Sequence, residues 1–146
     1  MKTVVVGLGN PILRDDGVGI HVVRQAAQRV RREDVVFAEA TVGGLRLLDL
    51  LVGAIVTPEG KPGEIRHLGP NDLRAPRHAG SSHDVSLPAA LALGRRMGMA
   101  LPPDERITIL AVEVVDVLTF GEECTPQVAA ALPRAVEALL RELGED

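Results

Sequence analysis

The stretch TVVVGLGNPILRDDGVG (residues 3–19) decides the fold. A short, continuous apolar run, Thr3–Gly7, leads into glycines, then two adjacent aspartates, then glycines again. Such a run without alternation is what a strand buried on both faces of a parallel sheet requires. Val18–Arg32 follows as a predicted helix, with Ile20, Val23, Ala27 and Val30 spaced to share one face. The segment between them, Gly7–Gly19, is therefore a loop at a strand's carboxyl end, where α/β proteins place their sites.

The rest of the chain continues the alternation. Val35–Ala40 reads as a second strand, Gly43-Gly44 breaks the chain, and Leu45–Val52 reads as helical. A short apolar piece at Ala54, a Pro/Gly turn and a strand around Glu64–Leu68 come next. A polar loop, Asn71–Ser82, precedes a helix from His83 to Met99. Arg106–Val114 is a mostly buried strand. Thr125 and Pro126 open a last helix running to Leu143, with Thr125 as N-cap and Pro133 expected to kink or restart it. Strands alternating with helices predict a single-domain α/β/α sandwich over residues 1–146, with a mostly parallel twisted sheet and helices on both faces.

Composition narrows the function. The chain has 146 residues, a net charge of −4, and only two aromatics, Phe37 and Phe120. This argues against nucleic-acid partners that depend on basic surfaces and base stacking. The single cysteine, Cys124, reads as a small apolar core thiol in a reducing compartment. No signal peptide or membrane span is expected, and the expected location is cytoplasmic.

The opening loop has three readings. A dinucleotide site fails on its fingerprint, because Ile12 stands where the third glycine belongs and Asp15 and Asp16 would repel phosphates. Glu39, at the end of the second strand, offers only weak support for a ribose contact. VGLGNP is also similar to the start of peptidyl-tRNA hydrolase, but this chain has no Tyr, and no histidine before His21. The third reading is a metal or acid/base site, since paired carboxylates are hard donors and a histidine would add a ligand suited to nickel or zinc. The plainer alternative is that Asp15 or Asp16 caps the helix beginning near Gly17.

With these residues in view, the chain resembles the hydrogenase maturation protease family, endopeptidases that trim the C-terminus of the large-subunit precursor of nickel–iron hydrogenases. TVGGLRLLDLL (41–51), IVTPEGKPGEI (55–65), SSHDVSLPAAL (81–91) and TPQVAAALPRAVEALL (125–140) extend the resemblance along nearly the whole chain. It implies a peptidase that acts on a nickel-loaded precursor and recognises nickel supplied by that precursor, with no nucleotide cofactor. An inactive relative that binds the precursor without cutting it is the alternative. Family ligands fall on Asp16, also the expected catalytic carboxylate, and on His83. Asp15 is expected to cap or brace the loop. Gly43 and Gly44 are expected to let the backbone approach substrate, and Asp84 to orient His83 or cap its helix. His67 and His78 are rival ligands that read as solvated, and His21 as partly buried.

One ligand is missing. The resemblance implies an aspartate at the end of a buried strand, just before the piece matching AIVT, and that position lands on Gly53 or is lost. With LLDLLV read as helix to Val52, no room remains for a connection and a strand. The expectation is that about one core strand with its loop is absent, with a spatial break near Val52–Ala54. Asp49, on the predicted helix, is not promoted to ligand.

Overall fold

The computed structural model describes residues 3–40, 50–55, 60–70, 72, 91–98 and 101–145. Its strands are β1 (Thr3–Leu8), β2 (Val35–Ala40), β3 (Leu50–Ile55), β4 (Ile65–Leu68) and β5 (Thr108–Glu113). They form one sheet in the order β2-β1-β3-β5-β4. β1 pairs in parallel with β2 and β3, β3 pairs in parallel with β5, and only β4 runs antiparallel, on the edge against β5. The expected mostly parallel α/β sheet is present.

Both faces of the sheet are covered, which explains why the strands read as unbroken apolar runs. Val5 from β1 and Leu110 and Val112 from β5 join one core with α1 (Val18–Arg29) and α2 (Pro126–Glu142). Their neighbours Val6, Ile109 and Ala111 point the other way and pack with Leu91, from helical residues 91–96. That helical run ends at Gly98, whose φ of +80° is the left-handed conformation a chain most cheaply adopts just past a helix. With Phe37 only partly buried, the interior is built from Val, Ile, Leu and Ala.

β3 corrects the expectation of a lost strand. Leu50–Ile55 is a continuous strand at the centre of the sheet, so Leu50–Val52 are not helical and no break lies at Val52–Ala54. Register shows why the short connection suffices. Ala40 ends β2 opposite Leu8, whereas Leu50 starts β3 opposite Val5, across β1. The displacement is about 10 Å along the strands and about 10 Å across two strand spacings. The nine intervening residues, 41–49, can span up to about 30 Å. What is short is the connection; the strand is intact.

The helices depart from expectation in smaller ways. α1 stops at Arg29 because Val30 turns extended, and its buried face is Val18, Ile20, Val22, Val23 and Ala26, with Ala27 exposed. α2 runs unbroken through Pro133, so the proline neither ends nor restarts it. Packing of Val128, Ala131, Ala135 and Leu139 holds both sides of that residue in one helix. Pro133 is exposed and withholds a backbone donor. Pro133→Ala is expected to raise stability by about 1–3 kcal/mol, read as a higher urea midpoint with an unchanged slope.

Among the described residues no helix is long and apolar enough to cross a membrane.

Candidate active site

β1, β2, β3 and β5 all end at the same edge of the sheet. The chain leaves β1 for β2 on one side and later returns to β3 on the other, so the crevice between β1 and β3 is a topological switch point. The loop after β1 rises from that point. It folds through a 3₁₀ turn, Arg14–Gly17, directly into α1.

Its glycines exist for close backbone packing. A side-chain carbon at Gly9 would overlap the Asp16 carbonyl, and Gly9 also has φ +139°. One at Gly19 would overlap the Val52 carbonyl of β3. The helix start is thereby pressed onto the switch point, and the aspartates are carried inward. Both are buried: Asp15 is 0% exposed and Asp16 is 8% exposed.

The two carboxylates do different work. Asp15 accepts the Thr125 N–H (2.7 Å) on Oδ1 and the Val115 and Asp116 N–H groups (3.0 Å each) on Oδ2. The Thr125 hydroxyl donates to both oxygens, at 3.1 and 2.8 Å. Asp15 therefore braces the loop, as expected, by tying it to residues 115–116 and to the start of α2. Thr125 is the N-cap residue of α2 by backbone conformation, but its hydroxyl serves Asp15 instead of capping. Neither aspartate caps α1, whose N-cap is Gly17 without a side-chain cap bond. Asp16 Oδ2 accepts the Asn10 N–H at 2.9 Å, which fixes the carboxylate against its own loop.

A second loop, residues 114–124, is zipped to the first. Arg14 N–H donates to the Gly121 carbonyl (2.9 Å), Gly121 N–H to the Ile12 carbonyl (2.8 Å), and Asp15 N–H to the Asp116 carbonyl (2.9 Å). Arg14 takes φ 40°, a left-handed conformation costly for a side-chain-bearing residue and held here by those bonds. The Thr119 and Leu118 N–H groups hold the Asp116 carboxylate below the usual range, so this loop stays negatively charged.

Cys124 is buried beneath the loops, as expected for a core thiol. Burial first, and the nearby Asp15 charge second, push its pKa up to about 11. The thiolate is the reactive form. Alkylation at pH 8 is therefore expected to be slow in the folded protein and fast in urea, read by mass after iodoacetamide quenching.

Sequence reasoning missed Glu113, at the carboxyl end of β5. It is 2% exposed and forms an ion pair with Arg66 at 3.1 Å. A charged residue closing an otherwise apolar strand was the available signal. The other sequence candidates divide. His83, Gly43, Gly44, His78, Asp84 and Asp49 lie outside the described residues. His67 is exposed on β4, 3.5 Å from Glu142, and the partly buried His21 places Nε2 3.1 Å from the Glu122 carbonyl. Glu39 is engaged by Arg24 through two bonds of 2.8 and 2.9 Å. Gly53 carries no side chain, and a carbon built there would meet Leu8 only at ordinary contact, 3.7 Å away. Among the described residues no three His, Cys, Asp or Glu side chains group as a metal site.

Comparison with known proteins gives this arrangement its relatives. The family profile described as hydrogenase maturation protease (HycI) matches residues 20–142. The hydrogenase maturating endopeptidase HybD from E. coli superimposes with a TM-score of 0.77 at 28% identity, covering 99% of this chain and 94% of that one. The solution structure of an endopeptidase from Escherichia coli gives 0.78 at 25% identity, covering 100% and 96%. The HybD maturation protease from Thermococcus kodakarensis, 21% identical over 97% and 99% with a TM-score of 0.66, shares the fold. No curated protein matches. With its profile matched over most of the sequence, the chain belongs to the hydrogenase maturation protease family.

Proposed function

We infer that this chain is the endopeptidase that removes the C-terminal extension from a nickel-loaded large-subunit precursor of a nickel–iron hydrogenase. The observation that carries the reading is Asp16, a buried carboxylate at the switch point of a chain belonging to this family. Asp16 is the residue that meets the nickel carried by the substrate, with His83 as the second ligand. Gly43 and Gly44 let the precursor backbone approach. The nickel, held by the precursor, positions the scissile amide. Water attacks its carbonyl carbon, the C–N bond breaks, and the proton passes to the leaving amine, with carboxylate or metal assistance at the attack. The setting is the cytoplasm, where such a precursor is made, and no nucleotide takes part.

One observation favours a second reading, a relative that binds the precursor without cutting it. Gly53, inside β3, supplies no carboxylate at the position where the family resemblance expects an aspartate. A processing assay decides between them. Nickel-loaded and nickel-free precursors are incubated with the chain, and the precursor C-terminus is read by mass. Shortening of the nickel-loaded form alone supports the peptidase. An intact precursor that remains bound to the chain supports the binder.

A further inference from the structure

Among the described residues seven large apolar side chains are exposed, and four of them stand on the two zipped loops: Ile12, Val115, Leu118 and Phe120. Leu118 and Phe120 are 85% and 79% exposed, and Phe120 is one of the two aromatics in the chain. Burying them in the protein's own core would have been favourable, as it is for any large apolar side chain. The fold instead spends backbone hydrogen bonds and a left-handed Arg14 to hold them outward in one arrangement. Arg14 lies beside Asp116 and Gly121, and Asp116 with the exposed Glu122 and Glu123 leaves the balance of charge on the two loops acidic. An apolar centre with a charged rim is the anatomy of a protein-docking surface. It adjoins Asp16 through the shared loop.

We propose that Ile12, Val115, Leu118 and Phe120 form the docking platform for the precursor, gripping an apolar segment flanked by basic residues and so delivering the cleavage site to Asp16. Charge complementarity selects the basic flanks. The preformed loops allow docking without ordering a flexible segment at the moment of binding. This inference rests on the peptidase reading for the identity of its partner, and its test separates the two.

Wild type, Leu118→Ser/Phe120→Ser, Phe120→Leu and Glu122→Gln/Glu123→Gln are compared on full-length nickel-loaded precursor. The double serine variant is expected to raise KM by about tenfold or more, with a much smaller change in kcat and an unchanged melting temperature. Phe120→Leu retains most of the wild-type KM. The glutamine pair weakens the rise of KM with salt. An unaltered KM in the serine variant overturns the platform. So does a wild-type dimer in sedimentation that the serine variant dissolves, because the surface then joins two copies of this chain. If wild type leaves the precursor uncut, the peptidase reading fails, and direct binding then tests the platform. Affinity about tenfold weaker in the serine variant supports it, and equal affinity overturns it.

Discussion

Asp16→Asn is expected to slow precursor processing by at least about 10²-fold while leaving the protein folded. The substitution preserves shape, and an amide oxygen at the same place still accepts the Asn10 N–H that Asp16 Oδ2 accepts at 2.9 Å. What disappears is the negative charge, which is the property that a nickel ligand or a proton acceptor needs. Single-turnover cleavage of nickel-loaded precursor measures the loss, and urea unfolding of the same sample checks the fold. Near-normal cleavage by a folded Asp16→Asn chain would remove Asp16 from the site. A matching loss of stability would instead make it a structural residue like its neighbour.

The neighbour is predicted to behave in the opposite manner. Asp15→Asn is expected to cost about 3–5 kcal/mol of stability, seen as a much lower urea midpoint. Both Asp15 oxygens face donors: Thr125 N–H at 2.7 Å on one, and the Val115 and Asp116 N–H groups at 3.0 Å on the other. Whichever way an amide is turned, its NH2 group meets backbone N–H, so a buried donor is left opposite a buried donor. Hydrogen bonds to a charged acceptor contribute about 1.5–3 kcal/mol each, and the loss is not additive across one carboxylate. The cost falls on the junction of the two loops with the start of α2. Asp15→Asn at wild-type stability would show that the clamp is dispensable. Two adjacent aspartates thus separate by experiment, one through rate and one through stability.

The division between them was only half legible in the sequence. Two carboxylates in a loop after the first strand signalled chemistry, and one was expected to brace. That Asp15 braces residues 115–116 and Thr125, rather than α1, depends on contacts about a hundred positions apart, which no local pattern encodes. Glu113 was passed over for a related reason. A lone glutamate next to the end of RITILAVEV looks like the solvated end of a strand until Arg66, on the antiparallel edge strand, closes over it. The glycines between residues 7 and 19 were visible as a loop signature, but their purpose, backbone contact with the start of α1 and with β3, needed the packed structure.

The sequence by itself determined the layer architecture. Apolar runs of strand length alternating with helical periodicity leave few ways to bury both, and a sheet with helices on its two faces is the one that does. It also determined where the two loop carboxylates lie, because the first loop carries them to the strands' carboxyl ends. Only the tertiary structure decided the state of LLVGAI (50–55). A leucine-rich run satisfies a buried helix and a buried strand equally by hydropathy. The open hydrogen-bonding edges of β1 and β5 settle it, since a strand at Leu50–Ile55 satisfies the backbone groups of both neighbours and a helix there would leave them unpaired.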